Sequence, residues 1–121
     1  MAYDITAIRP CLPLPKEPKD FTIARFSLNN RGWRETVDAL CAICEHLTPD
    51  DRDKLTRYEG RGLSGDKAEQ AVVALRRVLL HRHRHETFVI NGEAIRATPW
   101  LWEGLEQVYE MLCWSDGFTV R

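Results

Sequence analysis

Asn29-Asn30-Arg31-Gly32-Trp33-Arg34-Glu35-Thr36-Val37-Asp38-Ala39-Leu40-Cys41-Ala42-Ile43-Cys44-Glu45-His46-Leu47 is the stretch whose reading decides the fold. Trp33, Val37, Leu40, Cys44 and Leu47 recur at intervals of four, three, four and three. That spacing puts all five on one side of a 3.6-residue turn, and Cys41 widens the stripe. Asn29 and Asn30 can each accept a hydrogen bond from the first turn. The pattern therefore predicts an amphipathic helix from about Arg31 to His46.

Two more stripes follow downstream. Ala68, Val72, Leu75 and Leu79, joined by Ala71 and Val78, predict a helix capped by Ser64. Lys67 stands where a capping box would place Glu or Gln. Asp66 and Glu69 lie early and Arg76 and Arg77 late, the order that suits the helix dipole. Thr98-Pro99 opens the last helix, with Leu101, Leu105, Val108 and Leu112 inward. Between the first two, Thr48-Pro49-Asp50-Asp51 starts a short helix reaching about Arg57, expected on the surface because Leu55 and Tyr58 are its main apolar residues.

Strand signals separate these helices. Phe21 to Leu28 alternates apolar and polar residues with one slip. Thr87-Phe88-Val89-Ile90, Asn91-Gly92 and Glu93-Ala94-Ile95-Arg96 read as a hairpin, because Asn-Gly suits the two left-handed positions of a type I′ turn. Phe118-Thr119-Val120 closes the chain as a strand after the stop signal Ser115-Asp116-Gly117. The expected class is α+β: three main amphipathic helices, one short helix and a small antiparallel sheet. The first strand (21–28) and the last are expected to pair, with the hairpin extending that sheet or capping the helices.

Pro10, Pro13, Pro15 and Pro18 fix φ and remove donors, so residues 1–19 read as a proline-rich extended arm. Residues 20–121 then form a single domain. The 121-residue chain is long enough to bury a core without a disulfide or metal. Its 17 basic and 18 acidic residues exclude general attraction to nucleic acid, leaving only a local patch for that purpose. The apolar runs are far too short for a membrane span. Met1-Ala2-Tyr3-Asp4-Ile5 lacks the basic and apolar regions of a secretory signal. The four cysteines are therefore expected as reduced thiols in the cytoplasm.

Phe26-Ser27-Leu28-Asn29-Asn30-Arg31-Gly32-Trp33-Arg34, the Gly62-Leu63-Ser64 helix entry and Ser115-Asp116-Gly117-Phe118-Thr119-Val120 together resemble a group of small bacterial proteins. The matching positions cover about a quarter of the chain, and none is a catalytic signature. The resemblance implies domain boundaries and no activity.

His81, His83 and His85 alternate with Arg82 and Arg84. On a strand the three imidazoles would share a side and suit Zn²⁺, whereas at a helix end they are solvated groups facing the negative dipole. With Arg76 and Arg77 the run makes the one basic cluster, suited to an acidic protein, RNA or a nucleotide. Cys41-Ala42-Ile43-Cys44 falls about three turns into its helix, so its thiols read as buried hydrophobes and not as a redox pair. Gly60-Arg61-Gly62-Leu63-Ser64-Gly65 matches a dinucleotide fingerprint in form, but the preceding residues are polar and helix-prone, which makes it a flexible connection. Trp100 and Trp102 flank Leu101, so at most one shares its inward face. The other is a candidate interface anchor. These features predict a non-enzymatic binding protein of inhibitor, immunity or adaptor type, without a required cofactor. Its partner surface is expected at Arg82, Arg84, Trp100 and Trp102. The alternatives are a metal-binding protein or metalloenzyme using His81, His83 and His85, and an RNA- or nucleotide-binding protein.

Overall fold

The computed structural model describes residues 2–8, 25–57, 60–81, 87–90 and 92–121. Along the chain they form β1 (Ala2–Ala7), β2 (Arg25–Asn29), α1 (Asn30–Ile43), α2 (Pro49–Leu55), β3 (Arg61–Ser64), α3 (Gly65–Leu80), β4 (Thr87–Ile90), β5 (Glu93–Arg96), α4 (Pro99–Cys113) and β6 (Gly117–Val120). The class is α+β: four helices with an antiparallel sheet of order β2-β1-β6-β3, and a separate β4-β5 pair. Among the described residues no helix is long and apolar enough to cross a membrane.

Two corrections concern the sheet. Ala2–Ala7, expected in an arm outside the domain, is a central strand paired with β2 on one side and β6 on the other. Tyr3-Asp4-Ile5-Thr6 has the period of two that a half-covered strand requires, and Tyr3 and Ile5 are fully buried. Residues 9–20 of the expected arm lie outside the described residues. The pairing expected between the first and last strands is accordingly mediated: β1 lies between β2 and β6. On the outward face, Asp4 accepts a hydrogen bond from Ser27 Oγ at 2.5 Å and faces Arg25 at 3.5 Å.

The glycine-rich stretch is also a strand, not a flexible connection. β3 pairs with β6 from Arg61↔Val120 to Ser64↔Gly117. A Cβ on Gly62 would overlap the Phe118 carbonyl, and one on Gly117 would overlap that of Leu63. Each glycine lets the backbone of the other strand approach where a side chain would block it, and Gly117 also takes φ 135°. Gly62 and Gly117 thus serve strand packing.

The three stripes meet as their spacing requires. Trp33, Val37, Leu40, Cys44 and Leu47 are buried, as are Ala68, Ala71 and Leu75, and Leu101, Leu105, Val108 and Leu112. They share one core with Tyr3, Ile5, Leu63, Phe118 and Val120 of the sheet. α1 ends at Ile43, earlier than His46, with the Cys44 N–H still bonded to the Leu40 carbonyl at 2.8 Å. α2 is not merely superficial. Leu55 is fully buried, Trp33 Nε1 donates to its carbonyl at 2.7 Å, and the Tyr3 hydroxyl donates to the Thr56 carbonyl at 2.7 Å. Two core aromatics thereby satisfy carbonyls that the end of a helix leaves open.

At the other end of α2, Thr48 and Asp51 form a reciprocal capping box. Lys67 Nζ reaches both Asp51 carboxylate oxygens at 2.7 Å. Lys67 therefore ties α3 to α2 instead of completing a cap on its own helix. Ser64 holds the cap position of α3, but its side chain makes no capping hydrogen bond.

Candidate binding surface

Two residues separate β5 from α4, and the second, Thr98, fixes the turn by accepting a hydrogen bond from the Leu101 N–H at 3.3 Å. With Leu101 committed to the core, Trp100 is rotated about 100° away from it. Trp100 is 72% exposed, whereas Trp102 is half-buried against the core. The two tryptophans therefore part company. Trp102 packs on the core, and Trp100 stands in water.

Trp100 borders a cleft of about 410 Å³ between the first turns of α1 and α4, with Asn29, Arg31, Glu35, Thr36 and Thr98 on its walls. Asn29 caps α1 by accepting from the Gly32 N–H at 2.7 Å, and Arg31 Nε donates to Glu35 at 3.1 Å. Buried Thr36 turns its hydroxyl to the Gly32 carbonyl at 2.8 Å. Neither α1 nor α4 has an acidic residue in its first turn, unlike α2 and α3. The cleft thus combines an aromatic face, a guanidinium, a carboxylate and the positive ends of two helix dipoles.

The hairpin stands beside this cleft, because β4 lies along α1 and β5 leads into Thr98. It forms its own two-stranded sheet, in register from Thr87↔Arg96 to Ile90↔Glu93, and does not extend the main one. Gly92 takes φ 82° at its turn. Val89 is 66% exposed on β4.

The structure places only part of the expected site. His81 is the exposed C-cap of α3, its N–H bonded to the Val78 carbonyl at 3.1 Å. Arg82, His83, Arg84 and His85, which carry the rest of the histidine trio and half of the expected partner surface, lie outside the described residues. Among the described residues, no three metal-ligating side chains converge. The Cys41 and Cys44 thiols sit in α1 and at its end, and burial pushes them up to about 11 and about 12. Both stay protonated at neutral pH, the form least suited to metal binding or nucleophilic attack.

The α1 wall of the cleft was not singled out in the sequence. A usable signal was present: the caps Asn29 and Thr98 are followed by no acid, whereas Thr48 and Ser64 are. Trp33, next to the cleft wall in sequence, is a core residue in contrast. Trp33 lies 6.0 Å from Phe118 and 6.3 Å from Phe26, ring centre to ring centre, in edge-on contacts. Compared with protein-family models, curated proteins and solved structures, the chain matches none of them.

Proposed function

We propose that this chain is a non-enzymatic binding protein, of inhibitor, immunity or adaptor type, that docks another protein on the face where α1 and α4 begin. The observation that carries this reading is Trp100, 72% exposed on the first turn of a well-capped helix beside a cleft. A large rigid ring held in water contributes little to folding, yet it is the side chain type most enriched among interface hot spots. Arg31 and Glu35 supply polar contacts at its edge, and Val89 supplies apolar area on the neighbouring hairpin. The free thiols Cys41, Cys44 and Cys113 suit a reducing cytoplasm. The resemblance to small bacterial proteins suits a bacterial or phage setting.

A nucleotide or RNA segment is the second reading. Two helix starts without acids, beside Arg31 and an indole ring, offer an anion site next to a stacking platform.

The test compares wild-type protein, Trp100→Ala and Trp100→Phe as immobilised baits in lysate of the organism that encodes the chain. A protein retained by wild type and Trp100→Phe but lost on Trp100→Ala, at equal thermal midpoints, supports docking at this face. Equal retention on all three baits contradicts it. Retention of RNA or nucleotide that fades steeply with added salt selects the second reading.

A further inference from the structure

On α3, Val73, Arg76, Arg77 and Leu80 fall at i, i+3, i+4 and i+7, on the side opposite Ala68, Ala71 and Leu75. Asp66 and Glu69 continue that outer side toward the start of the helix. Val73 is 60% exposed and Leu80 is 70% exposed. One exposed aliphatic needs no explanation, but two on a single stripe mark a contact surface.

The charges on this stripe are segregated. Four cations in or beside α1 and α2 are paired: Arg31 with Glu35, Lys54 with Asp50, Arg57 with Asp53 and, between the two helices, Arg52 with Asp38. Among the described residues, no ion pair involves Glu69, Arg76 or Arg77, and Arg76 instead donates to the Tyr109 hydroxyl at 3.0 Å. The helix dipole accounts for acids early and bases late. It gives no reason for the aliphatics between and beyond them.

We infer that the outer face of α3 is a self-complementary dimer surface that pairs with the same face of a second copy, antiparallel about a two-fold axis beside Val73. In that arrangement the two Val73 side chains meet at the axis. Glu69 then faces Arg77 of the partner subunit, and Arg77 faces Glu69 of the partner subunit. Leu80 covers the helix start of the other copy. The pattern acid, aliphatic, base reads the same in both directions after a two-fold rotation, which is what an isologous contact requires. A purely acidic foreign segment would satisfy Arg76 and Arg77 but would set its carboxylates near Asp66 and Glu69. A parallel pairing would oppose like charges along its whole length.

A contact of one helix face is small, so the dimer is weak, with a dissociation constant on the order of 100 μM. The surface lies on α3, away from the walls of the Trp100 cleft, and does not rest on the proposed docking reaction.

Sedimentation velocity on the full chain, from about 10 μM to 1 mM, provides the test in that affinity range. Wild type is expected to shift from monomer toward dimer. Glu69→Arg and Arg77→Glu each remove the shift, and the double exchange Glu69→Arg/Arg77→Glu restores it. Val73→Lys, on an exposed position that leaves the core intact, also removes it, while Trp100→Ala leaves it unchanged. Thermal midpoints establish that each variant is folded. A wild type monomeric at 1 mM, a double exchange that fails to restore association, or a dimer indifferent to Val73→Lys each overturns the inference. A face that binds an acidic protein without self-associating overturns it too.

Discussion

The α1–α2 side of the molecule and the outer α3–α4 side treat their residues in opposite ways. Around α1 and α2, Trp33 and Leu55 are fully buried, helix-end carbonyls have aromatic donors, and the charges pair locally. Along outer α3 and at the start of α4, Val73, Leu80 and Trp100 face water, and Arg77 joins no described ion pair. The difference separates two tasks. All four helices bury a face in the one core, but α3 and α4 also hold large apolar side chains in water, the side chains that the proposed docking and pairing would cover.

The strongest challenge to that division is Trp33→Ala. It removes a ring packed against Phe26 and Phe118 and leaves the buried Leu55 carbonyl without its donor. The expected loss is about 3–5 kcal/mol in urea unfolding. A loss below about 1 kcal/mol would place the stabilising centre elsewhere.

The Asp51–Lys67 tie gives a smaller and pH-dependent effect. Burial acts to raise the Asp51 carboxyl, but hydrogen bonds from Lys67 and Thr48 outweigh it and hold the group below its ordinary value. A carboxyl lowered in the folded state stabilises above its unfolded value, about 3.9, and loses that contribution as the pH falls through the folded one. Asp51→Asn should therefore cost about 1–2 kcal/mol at neutral pH. The gap from wild type should close as the pH falls below about 4, measured by thermal unfolding across pH. A gap that stays constant into acid would assign the cost to packing alone.

Gly104→Ala probes the α1–α4 crossing on which the cleft depends. A Cβ there would lie 2.5 Å from Thr36 Oγ1, forcing Thr36 off its bond to the Gly32 carbonyl. Overpacking should outweigh the better helix propensity of alanine, for a net cost of about 1 kcal/mol in urea unfolding.

The sequence told these regions apart unevenly. The helical stripes were legible because Val37, Leu40, Leu75 and Leu105 repeat at the helical period and all are buried. β1 was hidden by its neighbours: four prolines after Arg9 coloured the reading of Tyr3 and Ile5, although those two alternate correctly for a strand. β3 was hidden because its pairing depends on Gly62 and Gly117, distant in sequence, each leaving room for the backbone of the other strand. α2 looked superficial because one leucine carries its burial, and its aromatic donors come from β1 and α1. Trp100 was visible as half of a pair, since Leu101 could bring only one tryptophan inward. The opposite wall, Arg31 and Glu35, needed the tertiary approach of two helix starts.

Cysteine reactivity gives a test that does not perturb the fold. Burial lifts the Cys44 thiol to about 12, whereas Cys113 is exposed on α4. At pH 8, iodoacetamide should modify Cys113 at least about tenfold faster than Cys44, read by peptide mass spectrometry. Equal rates would mean that the α1 side opens readily.

The most direct measurement crosses the two regions in one experiment, recording thermal midpoint and partner retention for Trp33→Phe and Trp100→Ala together. Trp33→Phe strands the Leu55 carbonyl and should lower the midpoint while retaining the partner. Trp100→Ala should leave stability within about 0.5 kcal/mol of wild type and lose the partner. If both variants lose stability and binding in parallel, the two regions are one, and the exposed tryptophan is not a docking residue.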